Sequence, residues 1–191
     1  MNSITRNNVY YYQLDDKLRT DLLRAKDLCF RFNHTIPSEV ETREEILSDL
    51  LPHKGEGVTI TAPFYCDYGY NLYLGDDAFI NYDAVILDCA KVHIGNRVLI
   101  APHCTISAAE HPINKDERKH IQVSKEIIIE DDVWIGAGVT IIPGVHIGEG
   151  SIIGAGSVLT RAIPAGVIAF GNPCKVHRQI TDKDRLNLGE L

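Results

Sequence analysis

A chain of 191 residues and 21.3 kDa, 45% hydrophobic and 24% charged, has the size and composition of one globular domain with an appendage, and it is too rich in Ile, Val and Leu to be a disordered tail. No apolar run approaches the ~20 residues of a bilayer span, and the start MNSITRNNVYYYQLDD lacks the continuous apolar stretch of a signal peptide, so a soluble cytoplasmic protein is expected. The formal charge of −7 argues against a nucleic-acid or anionic-membrane surface, but residues 161 to 191 carry five basic and three acidic groups, a net of +2 that leaves −9 for residues 1 to 160 and room for one small polyanion near the C-terminal end.

From Leu14 to Phe32 the residues Leu14, Leu18, Leu22, Ala25, Cys29 and Phe32 recur at steps of three and four, which predicts a helix started by Asp15 or Asp16. Asn33 and Pro37 end that pattern. Ser38-Glu39-Val40-Glu41 then has capping-box spacing, and a second helix is expected from Glu39 to Leu51 with Ile46, Leu47, Leu50 and Leu51 inward. Pro52 and Gly55-Glu56-Gly57 close this N-terminal helical segment, residues 1–57.

Beyond it the period becomes six. Ile129, Ile135, Ile141, Ile147, Ile153 and Leu159 are six apart, and Ile127, Val133, Val139 and Val145 keep the same step two residues earlier. Upstream, Leu74, Ile80 and Ile86 repeat at six, as do Ile94, Ile100 and Ile106; the step of eight between Ile86 and Ile94 places two extra residues within Leu87 to Lys91. A helical repeat cannot be this short, so the period predicts hexapeptide coils of a parallel β-helix, with each aliphatic residue inward and stacked on its counterpart in the next coil. The expected fold is mainly β, with the β-helix spanning 58–170. It is interrupted at about 108–126 by a polar segment, and an excursion of this length from a solenoid tends to be functional or to form an interface. A C-terminal strand and tail fill 171–191. The five cysteines (Cys29, Cys66, Cys89, Cys104 and Cys174) are scattered and include no C-x-x-C, so reduced thiols are expected rather than a disulfide framework or zinc knuckle.

The coil, the helical N-terminus and the strings FYCDYGYN (64–71), FINYDAVILD (79–88), VLIAPHCTISAAEHP (98–112), VWIGAGVTIIPGVHIGEGSIIGAGSV (133–158) and GNPCKV (171–176) resemble the maltose and galactoside O-acetyltransferases, from roughly Tyr10 to Ile180. The resemblance implies a left-handed parallel β-helix, a homotrimer with active sites between adjacent subunits, and acetyl-CoA as donor without a metal. The acceptor it implies is a hydroxyl, expected to be a primary one, of a sugar such as maltose, glucose or a galactoside.

His111 is the first candidate for chemistry. A sugar hydroxyl attacking a thioester needs a base with a pKa near 7, and Pro112 holds the backbone at this histidine extended. A histidine on a polar loop also has a plain surface reading; the match of Ser107 to Pro112 with the family's catalytic segment is what singles it out. Asn81 can orient the acceptor or steady developing charge, or it can be an ordinary corner residue, and the resemblance favours function. Asp67, Asp88, Tyr68 and Tyr70 are candidate acceptor contacts, although each carboxylate reads equally well as a cap on free corner amides. Trp134 lies between the inward Val133 and Ile135, so it points outward, and the resemblance makes it a cleft or interface wall near the donor. Similarity suggests Ala137, Ala155, Thr160, Arg161 and Arg178 as coenzyme A contacts, with the Ala137 amide as an oxyanion donor, while corner packing also explains the small residues.

Several positions depart from the family pattern. Residues 119–126 are about one residue shorter than usual, Gln122 stands where a Glu is expected and Glu126 where a Pro is expected, and Gln13 and Cys89 occupy places where the galactoside branch has acidic acceptor ligands. These departures leave the sugar open. The rival readings are a hexapeptide acetyltransferase for an antibiotic or lipo-oligosaccharide, a metal-dependent carbonic anhydrase, for which a close histidine pair on the coil is missing, and a non-catalytic β-helix platform. An acyl-cysteine route is disfavoured because His103 and Cys104 alternate to opposite sides of the coil.

Overall fold

The computed structural model describes residues 3–6 and 9–186, and in it the hexapeptide rows are the core. Every member of the two rows named above is at most 4% exposed. Three parallel sheets carry them as the three faces of a prism of about six turns, a left-handed parallel β-helix. The first face stacks His53–Lys54, Leu72–Leu74, Val92–Ile94, Ile127–Ile129 and His146–Ile147. The second stacks Thr59–Ile60, Phe79–Ile80, Leu99–Ile100, Trp134–Ile135, Ile152–Ile153 and Val167–Phe170. The third stacks Phe64–Cys66, Ala84–Leu87, Thr105–Ser107, Thr140–Ile141 and Val158–Leu159. The chain visits the faces in the order first, second, third, so each turn contributes one residue group to each of three corners.

The corners are in register as well. Between the second and third faces, the amides of Asn81, Ala101 and Gly136 donate to the carbonyls of Ile100, Ile135 and Ile153 at 2.9, 2.9 and 2.8 Å, which stacks the corner residues in one column. A side chain at Gly136 would meet the Ala155 amide nitrogen at 2.6 Å, so only glycine fits where these two turns approach.

Helix α1 spans Asp16–His34 and is capped by Asp15, whose Oδ1 accepts from the Leu18 amide at 2.9 Å. Helix α2 spans Val40–Leu50. The expected Ser38–Glu41 capping box does not form: Glu39 occupies the cap position, Ser38 therefore lies one residue outside the helix, and no side chain caps its start. Ala25, Cys29, Phe32, Ile46, Leu47 and Leu50 join the core beneath the first turn, and Asn33 exchanges two hydrogen bonds with the backbone of Phe64 at 2.9 and 3.0 Å.

The N-terminal helical segment, 1–57, carries strands at both ends. His53–Lys54 already belongs to the first face. Ahead of α1, the strands Ser3–Arg6 and Val9–Tyr12 form an antiparallel hairpin. The interruption of the coil is structured too. Its strands Ala109–Glu110 and Gln122–Lys125 pair with each other, and the second pairs with Val9–Tyr12, giving a four-stranded antiparallel sheet outside the prism. At the other end Lys175–Gln179 pairs antiparallel with Val167–Phe170 and closes the second face. No helix among the described residues is long and apolar enough to cross a membrane.

Candidate active site on two edges of the prism

The corner between the third and first faces collects most of the residues singled out above. Its turns hold 67–71, 88–91, the 108–126 excursion and Thr160-Arg161, because each follows a third-face strand. Asp88 is the organiser of the first two. Its Oδ1 accepts from the amides of Asp67 and Tyr68 at 3.0 and 2.8 Å, its Oδ2 from Asn71 at 3.2 Å, and its carbonyl from Asn71 Nδ2 at 2.8 Å. The side chain is 0% exposed, so in this chain it has the capping role and not that of a direct sugar ligand. Burial pushes its carboxyl up to about 6, although the amides it accepts from favour the ionised form.

The turn that Asp88 holds is a wall of aromatic side chains. Tyr68 and Tyr70 have ring centroids 5.4 Å apart, and with Tyr10, Tyr12, Leu18, Cys89 and Lys91 they line a cavity of about 200 Å³. Tyr70 donates to Asp21 Oδ2 at 3.3 Å, and Cys89 donates to Asp67 Oδ2 at 3.2 Å. Burial pushes the Cys89 thiol up to about 12 and the phenols of Tyr12, Tyr68 and Tyr70 well above their ordinary range, so these groups are neutral at neutral pH. Gly69 turns the chain here with φ +78°; a side chain would sit 2.2 Å from the Leu50 carbonyl oxygen.

His111 follows the strand Ala109–Glu110 and is exposed in a separate open groove of about 570 Å³, shared with Tyr11, Glu110, Pro112, Asn114, Glu117 and Val123. The loop is braced from within. Arg118 donates to the carbonyls of Pro112 and Ile113 at 3.1 and 2.8 Å, and Lys125 pairs with Glu110 at 2.6 Å. Tyr11 and Tyr12 were not among the expected site residues; the β-branched and aromatic run VYYY just before the helical pattern was the available signal.

The other candidates lie on a different edge, the corner between the second and third faces. Asn81, Ala137 and Ala155 all sit there, one turn or more apart along the column. The Asn81 side chain accepts from the Tyr82 amide at 2.8 Å, and it does not line the His111 groove. The amides of Gly136 and Gly138 donate to Ile153 and Pro102, whereas the Ala137 N–H takes no part in that ladder. Side chains added at Gly138 and Gly156 would meet nothing within 4 Å, so this edge is an open strip of backbone. Trp134 is 51% exposed on the second face, as alternation requires. Thr160 and Arg161 are exposed, but Arg178 is engaged: its guanidinium grips Asp184 at 2.7 and 2.8 Å, and this pairing holds the Asp184 carboxyl well below its ordinary range. Arg178 thus braces the C-terminal turn in this structure, and its side chain stays half-exposed beside Asp184.

Known proteins supply an independent view of this arrangement. The bacterial transferase hexapeptide motif (six repeats) matches residues 126–161, and the maltose acetyltransferase hexapeptide capping motif matches residues 8–55. A galactoside O-acetyltransferase of Escherichia coli K12 is 44% identical over 164 residues, covering 85% of this chain and 81% of that protein. A galactoside O-acetyltransferase of Lactococcus lactis is 40% identical over 176 residues, covering 91% and 85%. Among solved structures, a galactoside acetyltransferase in complex with coenzyme A superposes with a TM-score of 0.89 at 40% identity, covering 94% of this chain and 91% of its own. A maltose O-acetyltransferase from Clostridium difficile 630 superposes with 0.86 at 41% identity, covering 88% and 90%. The prism, its helical cap and its interrupted coil are therefore a shared inheritance, and the chain belongs to the maltose and galactoside O-acetyltransferase family of hexapeptide-repeat acyltransferases.

Proposed function

We propose that this protein transfers the acetyl group of acetyl-CoA to a hydroxyl of a sugar, with His111 as general base, in a homotrimer whose sites lie between subunits. The observation that carries the reading is the division of the candidate residues: His111, Asp67 and the tyrosine wall lie on one edge of the prism, while Asn81, Ala137 and Ala155 lie on another. One copy cannot close such a site on itself, whereas a neighbour that presents its second-to-third edge to the first copy's third-to-first edge completes it. The outward row of the second face supports this packing. Phe79, Leu99, Trp134 and Ile152 follow one another in register, and Leu99 and Trp134 are 46% and 51% exposed.

The donor edge suits a long, thin ligand. Its open backbone strip leaves room for an amide-rich arm, and from the third-to-first edge Arg161, which makes no ion pair among the described residues, offers charge to a phosphate. Acetyl-CoA, as co-substrate, supplies the acyl group already activated as a thioester. His111 takes the proton of the acceptor hydroxyl as that oxygen bonds to the acetyl carbon, and returns it to the sulfur as the carbon–sulfur bond breaks. The Ala137 N–H, outside the coil ladder, is the donor proposed to hold the negative oxygen. Asn81 orients the reacting groups from the same edge, and Asp67 accepts from sugar hydroxyls.

The test is acetyl-CoA turnover over a panel of maltose, glucose and galactosides with wild type and His111→Ala. The substitution is expected to lower kcat/KM by about 10²- to 10⁴-fold while leaving the folded trimer intact. Undiminished turnover in the variant removes His111 from the mechanism.

A further inference from the structure

We propose that Tyr11 is an acceptor-recognition residue, its ring and hydroxyl forming the wall of the His111 groove against which the sugar is held. The inference rests on the proposed reaction and names a specificity determinant for it in the N-terminal hairpin.

The strand register is what places Tyr11 there. Tyr11 is opposite Val123, and Val123 is opposite Glu110, the residue before His111. Directly opposed residues of an antiparallel sheet project to the same side, so Tyr11, Val123 and Glu110 share one face, and all three line the groove with His111. Tyr10 and Tyr12 project to the other side and are occupied in holding the strand. The Tyr10 hydroxyl donates to Glu126 Oε1 at 2.5 Å, and Tyr12 is 8% exposed against the small cavity beside Cys89. Tyr11 is 36% exposed, and its hydroxyl has no hydrogen-bond partner among the described residues.

The neighbouring polar groups leave Tyr11 a defined task. Glu110 is neutralised by Lys125, and Arg118 is spent on loop carbonyls. A phenol is rigid, offers an apolar face to sugar C–H groups and keeps a polar tip for a hydroxyl, which is the combination a weakly polar groove needs to orient a sugar. Three tyrosines in a row thus serve one purpose: two pin the strand to the coil and the excursion, and the third is presented to the base.

Steady-state kinetics of wild type, Tyr11→Phe and Tyr11→Val on maltose and a methyl galactoside test the assignment. Valine keeps strand propensity, so the hairpin pairing is retained, and phenylalanine supplies a second variant that keeps the ring. Tyr11→Val is expected to raise the acceptor KM about tenfold, Tyr11→Phe to raise it less, and neither to change the KM for acetyl-CoA or the slow hydrolysis of acetyl-CoA without sugar. An unchanged acceptor KM in both variants, or a loss of kcat with both KM values intact, overturns the assignment and leaves Tyr11 as scaffolding of the loop. A wild-type protein that acetylates no sugar overturns the proposed reaction itself, and that outcome is seen before any variant is made.

Discussion

Asp88 shows how a single buried carboxylate can shape a site without entering the chemistry. Three backbone amides converge on it, and its full burial holds the carboxyl up to about 6, against an ordinary value of about 3.8. Between those values the native state binds more protons than the unfolded chain, so this residue's contribution to stability falls as pH rises from about 4 to about 6 and stays low above that. The shift corresponds to roughly 3 kcal/mol at most. Asp88→Asn removes the titration while keeping the shape, at the cost of one acceptor. Urea unfolding at pH 4, 5, 6 and 7 is expected to show wild type losing stability relative to the variant over that window. Parallel curves for the two proteins would mean that the carboxylate is hydrated, not buried. Asp67 differs from Asp88 in what it holds: its Oδ2 takes only the Cys89 thiol, a weak donor at 3.2 Å, among the described residues.

At the scale of elements, the hexapeptide is a packing rule that the run Ile127–Ile129 tests with one residue type. Ile127 and Ile129 are 0% and 1% exposed, while Ile128 between them points outward at 38%. Ile129→Ala is expected to cost about 2–5 kcal/mol in denaturant unfolding, and Ile128→Ala under about 1 kcal/mol. Equal losses would contradict the inward–outward alternation. The period of six made these strands legible because each turn buries the same position, so the signal accumulates over the repeat. The excursion was legible as a break in that period, but the hairpin and the strands inside the excursion were not, for the converse reason. Val9–Tyr12 and Gln122–Lys125 are single four-residue strands separated by more than a hundred residues, and neither repeats. Their pairing is a tertiary fact, and short apolar runs do not announce their partners. The Ser38–Glu41 box failed for a local reason: a capping motif depends on which residue starts the helix, and a shift of one position to Glu39 breaks it.

At the scale of the whole molecule, the prism explains why the candidate residues could be found in the sequence yet not brought together by one chain. A narrow solenoid leaves faces uncovered, and here the second face presents Phe79, Leu99, Trp134 and Ile152 as a continuous apolar row. Trp134→Glu places a charge in that row, and light scattering is expected to report monomers with unchanged far-UV circular dichroism and lost turnover. Complementation gives the sharper test, since the proposed site takes His111 from one copy and Asn81 from its neighbour. His111→Ala and Asn81→Ala are each expected to be nearly inert as pure trimers. If the two are unfolded, mixed in equal amounts and refolded together, a subunit keeping His111 meets a subunit keeping Asn81 at about one site in four, so about a quarter of wild-type activity should return. Activity no higher than that of the parents would mean that both residues act from the same chain, because then every site in every mixed trimer carries one of the two substitutions. Recovery near a quarter, with none when either variant is refolded alone, requires a site built from two edges of two copies.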